Sequence, residues 1–151
     1  MSIDDMDTES ITSPARRGRR FEELAEAECL HLLAGAVIGR IVFSAYGTAS
    51  IRPVNFVVDE HAVVFRTASG AKFSPALRRA TVSFEADRFD PVRGTGWSVI
   101  VAGATGLVHD PERTGRIGRA LDTWMPGELG HLMYVDIEHV TGRRIVLADA
   151  D

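Results

Sequence analysis

Seven short segments of this chain are rich in Val, Ile, Phe and Tyr, and only short connections separate most of them. They are AVIGRIVFSA (36–45), ASIRPVNFVVD (49–59), HAVVFRT (61–67), ATVSFEADRF (80–89), WSVIVAGATGLVH (97–109), HLMYVDIEHV (131–140) and RRIVLA (143–148). β-Branched and aromatic side chains suit a pleated, half-buried surface, and YGT, DEH, VRGTG and TG between the segments are turn signals. TVSFEADRF alternates, with Val82, Phe84 and Ala86 on one face and Ser83, Glu85 and Asp87 on the other. Parallel strands need a crossover of a dozen or more residues, usually a helix, and no regular strand–helix alternation is present. The pattern therefore predicts a mainly β chain built as an antiparallel barrel with peripheral helices.

Three stretches read as helix. FEELAEAECLHLLAG (21–35) places Leu24, Ala27, Leu30 and Leu33 at helical spacing before Gly35, and FSPALRRA (73–80) reads as a short turn of helix. DPERTGRIGRALDTWM (110–125) opens with Asp110 as N-cap, Pro111 at the first helical position and Glu112 near the positive end of the dipole. Residues 1–20 hold no Leu, Val, Phe, Tyr or Trp and end in Arg16, Arg17, Arg19 and Arg20, so they read as a mobile tail. One folded domain, 21–151, remains.

Composition excludes several functions. A net charge of −4 gives no general attraction to nucleic acid or an anionic membrane, which leaves the isolated RRGRR cluster as the weak basis for a nucleic-acid contact. MSIDDMDTES lacks an apolar signal region and no apolar run is long enough to span a bilayer, so the chain reads as cytoplasmic. Cys29 stands alone, and His31, His61, His109, His131 and His139 are scattered, with only His131 and His139 placed to share a strand face. No Ser-His-Asp order, metal box or carboxylate pair suggests a catalytic centre. GRIG (115–118) has the outline of an RNA-binding loop but falls inside a helical pattern.

One residue stands out against this background. Sixteen of the seventeen basic residues are arginine, and the single lysine, Lys72, sits in RTASGAKF (66–73). A Gly- and Ser-containing turn between a strand and a helix can aim backbone N–H groups and a helix N-terminus at an anion. Arg66, Thr67, Ser69 and Lys72 add charge and hydroxyls, and Arg52 in IRPVNF would stand across the DEHA turn, so a phosphate site and a merely solvated strand end are both consistent with the residues. Asn55, the only asparagine, lies between Val54 and Phe56; it either faces a planar hydrogen-bonding ligand or lies on the solvent face of its strand.

Taken together, IGRIVFSAYGTASIRPVNFVVDEHAVVFRTASGAKF, VSFEADRFDPVRGTGWSVIVAGATGLVHD and the final TGRRI resemble the pyridoxamine 5′-phosphate oxidase-like, FMN-binding split-barrel proteins over residues 22–147, in particular their small actinobacterial-type branch near the nitroimidazole-reductase-like proteins. The resemblance implies a homodimer of split barrels with a flavin in each of two grooves between subunits. It places Arg52, Pro53, Val54, Asn55 and Phe56 along the flavin, matches Phe65, Arg66 and Thr67 loosely to an aromatic-Thr strand end, and puts Lys72 at the phosphate-gripping lysine, with Ala71 near a position that is basic elsewhere in the family. Ser98, preceded by Trp97, falls on the polar position that reaches the flavin from the partner subunit. The residues agree in kind: Arg66, Thr67, Ser69 and Lys72 for a phosphate, Val54, Phe56 and Trp97 for an apolar slot, Asn55 or Ser98 for a pyrimidine edge. One departure matters. The chain ends GRRIVLADAD with no Arg-x-His pair, which argues against oxidation of vitamin B6 itself. The expectation is an FMN-dependent oxidoreductase acting on a small organic molecule; the deazaflavin F420 on the same fold and a non-catalytic flavin- or haem-binding module are the alternatives.

Overall fold

The computed structural model describes residues 18–45, 47–67, 80–124 and 131–148. In chain order the elements are β1 (Arg19–Glu23), α1 (Glu26–Ala34), β2 (Ile38–Ala45), β3 (Thr48–Asp59), β4 (Ala62–Thr67), β5 (Thr81–Asp90), β6 (Thr95–Leu107), α2 (Pro111–Ala120), β7 (His131–Asp136) and β8 (His139–Leu147). All strand pairings are antiparallel, and the sheet order is β1-β8-β6-β5-β2-β3-β4-β7, with β6 also paired to β7. That last pairing closes six strands into a barrel, while β8 and β1 continue from β6 as a flap: a split barrel, as the sequence predicts.

The split lies within β6. From Gly96 to Ala102 it pairs with β8, and from Thr105 to Leu107 with β7. Gly103 stands at the changeover, where a Cβ would overlap the carbonyl oxygen of Asp136. A glycine is needed there because β7 comes too close for any side chain.

Alternation along the strands fills the barrel. Ile41, Phe43, Phe56, Val63, Phe65, Val82, Phe84, Ala86, Val99, Val101, Met133 and Val135 face inward and are buried. The rings of Phe56 and Phe84 meet edge to face, with centroids 4.8 Å apart at 68°. Helix α1 adds Cys29 and Leu33 to the same core. A smaller cluster of Ala62, Val64, Ile117, Leu121 and Leu132 lies on the outer side of β4, beneath α2.

Four expectations are corrected. The first helix starts at Glu26, because 19–23 form β1 against β8; strand pairing therefore reaches back to Arg19, inside the stretch read as tail. The second helix stops at Ala120, and Leu121, its extended C-cap residue, turns inward to be buried. HLMYVDIEHV is two strands broken at Ile137 and Glu138, so His131 and His139 sit on different strands rather than one face. Finally, the TG of 141–142 is not a turn but the middle of β8. Gly142 is needed because a Cβ there would stand 2.5 Å from Cys29 Sγ and 3.2 Å from Leu24 Cδ1, so its absence lets α1 rest on the strand. The short helix expected near 73–80 lies outside the described residues, apart from Ala80, as does the tail before Gly18.

Candidate functional site

The stretch Arg52–Phe56 lies on β3, where the chain passes from pairing with β2 to pairing with β4. Strand alternation splits it. Arg52, Val54 and Phe56 point to the barrel side, Phe56 being buried and Val54 packed against the core, while Pro53 and Asn55 point outward. The β3–β4 hairpin pairs as expected, but its last registered pair is Phe56↔Phe65, so Arg52 lies four residues beyond it, opposite Ile41 of β2.

At the far end of β4, alternation separates another predicted pair. Thr67 follows Val63 and Phe65 on the barrel side; Arg66 follows Ala62 and Val64 on the side of α2, where its guanidinium approaches Gly118. Thr67 is 5 % exposed, and its hydroxyl Oγ1 has no hydrogen-bond partner among the described residues. A buried hydroxyl left unpaired costs roughly 1–3 kcal/mol, so a site that leaves one open is a place for a ligand acceptor or donor. Ser69 and Lys72 lie outside the described residues.

Asn55 does not lie on a solvent-exposed face, the second of the two roles foreseen. It is buried, its Nδ2 donates to the Val37 carbonyl at 3.4 Å, and its Oδ1 accepts from the Trp124 N–H at 2.9 Å. One amide thereby ties the α1–β2 connection and the segment after α2 to the outer side of β3. A polar residue bounded by apolar neighbours signals that such a partner must exist, but not where in the chain it lies.

Trp97 and Ser98 open β6 and point to opposite sides. Trp97 packs against the core and, with Arg93, Thr95, Arg144, Ile145, Val146 and Leu147, lines a groove of about 380 Å³. Ser98 points outward, between Asp87 of β5 and Arg143 of β8. Of the two terminal arginines, Arg144 is tied to α1 by a 2.6 Å bond to Glu28 Oε1, and Arg143 lies over the ring of Phe21 with 5.6 Å to its centroid.

Two carboxylate clusters complete the electrostatics, and sequence reading had singled out neither. Asp59, at the β3–β4 turn, accepts from Arg113 Nε at 3.0 Å and from Arg116 Nε at 3.2 Å and Nη2 at 3.1 Å. These bonds, those from Arg116 foremost, hold its carboxyl below the usual range. Glu85, on the outer side of β5, lies 3.4 Å from Arg40 Nη1 beside Asp87, and burial followed by the neighbouring Asp87 pushes it up to about 7. Among the described residues no group of three or more His, Cys, Asp and Glu could hold a metal ion, and no helix is long and apolar enough to cross a membrane.

Comparison with known proteins bears on this arrangement. The family model described as pyridoxamine 5′-phosphate oxidase matches residues 25–144. An uncharacterized protein of Mycobacterium tuberculosis is 41 % identical over 133 residues, which is 85 % of this chain and 88 % of that one. Among solved structures, a FAD binding protein from Mycobacterium smegmatis is 36 % identical with a TM-score of 0.64, and a putative pyridoxamine 5′-phosphate oxidase from Corynebacterium glutamicum is 32 % identical with a TM-score of 0.73. Each alignment covers 83 % of this chain and 98 % of the other. The chain belongs to the pyridoxamine 5′-phosphate oxidase family.

Proposed function

We propose that this chain binds a flavin at the end of its barrel, in a groove completed by a second copy, and uses it to oxidise or reduce a small organic molecule. The observation that carries the reading is the likeness to the FAD binding protein of Mycobacterium smegmatis, at 36 % identity over nearly all of that chain. The residues present fit such a group. Thr67 offers a buried hydroxyl with no partner among the described residues, and half-buried Val54 offers an apolar surface on the same side of the sheet, backed by Phe56 in the core. Arg52 follows on that side and, with Lys72 as the resemblance places it, would meet the phosphate; Ser98 would reach the flavin of the other copy. Bound there, the flavin supplies the electron transfer, and the protein supplies position, exclusion of water and charge for the phosphate tail.

FMN is the form the family resemblance implies, whereas the similarity to a FAD binding protein favours the dinucleotide. The visible spectrum of the purified chain, with mass spectrometry of whatever denaturation releases, decides among FMN, FAD and F420. A colourless protein that takes up none of the three overturns the reading.

A further inference from the structure

The turn from β5 to β6, residues 91–94, is held from inside and from outside. Inside, Asp90 Oδ1 accepts from the N–H groups of Val92 at 2.9 Å and Arg93 at 3.2 Å, and the Asp90 carbonyl accepts from the Gly94 N–H at 2.8 Å. An aspartate that bonds the backbone two residues on is a common way to make a turn. The outside contact comes from β1, on the far side of β8. Arg19 donates from Nε to the Gly94 carbonyl at 3.1 Å and to the Arg93 carbonyl at 3.2 Å, and from Nη2 to the Arg93 carbonyl at 2.9 Å.

The residues on both sides suit this contact. Gly94 sits at φ 65°, and a Cβ there would stand 2.5 Å from Arg19 Nη2 and 2.6 Å from Nε. Glycine therefore serves both the left-handed backbone and the approach of the guanidinium. Arg19 is itself fixed to β8: it pairs with Leu147, and the preceding Gly18 carbonyl accepts from the Ala148 N–H at 2.6 Å. Beyond the turn there is no slack. Thr95 pairs with Asp90, and Gly96 lies so close to β5 that a Cβ would overlap the Arg88 carbonyl oxygen. The next two residues are Trp97 and Ser98. Charge-assisted bonds to two successive carbonyls thus fix the point from which β6 sets out.

We propose that Arg19 is a positioning residue of the flavin site, locking the turn at 91–94 and, through it, the start of β6, so that Trp97 and Ser98 are held in place for the flavin. It rests on the flavin reading above and adds to it a residue from the first strand. The turn also gives Arg93 and Thr95 to the groove beside Trp97, across from Ile145 and Leu147 of β8. One side chain that ties β1 to the turn therefore ties the two walls of that groove together. Side chains already held in their bound arrangement lose less freedom on binding, so loosening them lowers affinity without removing a ligand contact.

Trp97 and Trp124 are the two tryptophans of the chain, so a Trp124→Phe background reports on Trp97 alone. In that background Arg19→Ala should raise the acrylamide quenching of Trp97 about twofold, and the amides of residues 92–94 should exchange with deuterium at least about tenfold faster. Affinity for FMN and FAD, followed by fluorescence titration, should fall about five- to twentyfold. The thermal midpoint of the ligand-free protein should move by no more than about 4 °C. Arg19→Lys keeps the charge but not the fork of donors and should recover only part of the affinity. Gly94→Ala drives a Cβ against the guanidinium and should loosen the turn in the same way. Adding Arg19→Ala to it should then change affinity by less than about twofold, because both changes break one contact.

An unsubstituted chain that binds flavin, beside an Arg19→Ala chain that binds it equally well, overturns the positioning role and leaves the flavin reading intact. Unchanged exchange and quenching overturn the lock itself. Circular dichroism showing that Arg19→Ala and Arg19→Lys both fail to fold makes the residue structural and also overturns the role. An unsubstituted chain that takes up neither FMN nor FAD nor F420 overturns the flavin reading and the role together.

Discussion

Two carboxylate sites on the outside of the barrel are built in opposite ways. Asp59 has two arginines from α2, Arg113 and Arg116, which also reach Glu60 in the same turn. That turn holds Glu60 and His61 at φ 47° and 61°, a left-handed conformation that non-glycine residues adopt at a cost, and the arginines help to hold it. Glu85 has one arginine shared with a second carboxylate. At the first site the chain completes its own electrostatics and covers the strands with a helix; at the second the described residues do neither. The first corner is closed by two cations, whereas the second carboxylate pair has a single cation among the described residues.

That contrast can be broken at several strengths. The largest effect should come from Ile117→Ala, which empties the apolar floor between α2 and β4. It should cost about 2–4 kcal/mol in denaturant unfolding, whereas Ile100→Ala, at a half-exposed position on β6, should cost about 0.5 kcal/mol or less. Equal losses at the two positions would erase the distinction. Next comes Asp59→Asn, expected to cost about 1–2 kcal/mol because it loosens α2 from the β3–β4 turn; an unchanged unfolding midpoint would mean that the arginines are solvated rather than anchoring.

Smaller still, Thr67→Val should leave the ligand-free protein as stable or about 1 kcal/mol more stable, since it removes an unpaired buried hydroxyl, while lowering flavin affinity severalfold in a fluorescence titration. A clear loss of ligand-free stability would show that the hydroxyl already has a partner. The pH slopes of dilute, single-copy protein run in opposite directions at the two sites. Asp59, with its pKa lowered by folding, contributes stability above its unfolded value and loses it as pH falls through the folded one. Glu85, raised to about 7, contributes below its unfolded value and loses that contribution as pH rises toward 7. Unfolding of Asp59→Asn and Glu85→Gln across this range should flatten one slope each.

Much of the barrel was legible because strand alternation and turn residues are local signals: TVSFEADRF reads the same in the sheet as in the sequence. The N-cap of α2 was legible for the same reason, Asp110 Oδ1 accepting from the Glu112 N–H at 3.1 Å. What escaped depended on distant partners. Gly142 looks like a turn residue until α1 is laid on β8, and β1 is too short and polar to declare itself without that partner strand. The candidate site was only partly legible. Residue types suited to a flavin could be named, but period-two alternation divides Arg66 from Thr67 and Trp97 from Ser98, so neighbours in sequence do not share a site. The pairing of Asn55 with Val37 and Trp124, and the unequal treatment of Asp59 and Glu85, appear only when the strands are side by side.

The central claim is a flavin held between two copies, and sedimentation velocity followed simultaneously in the protein band and the visible flavin band tests it most directly. The account predicts one boundary at the mass of two chains carrying one flavin per chain. Flavin absorbance that sediments as free ligand, or that travels with a single chain, would contradict it.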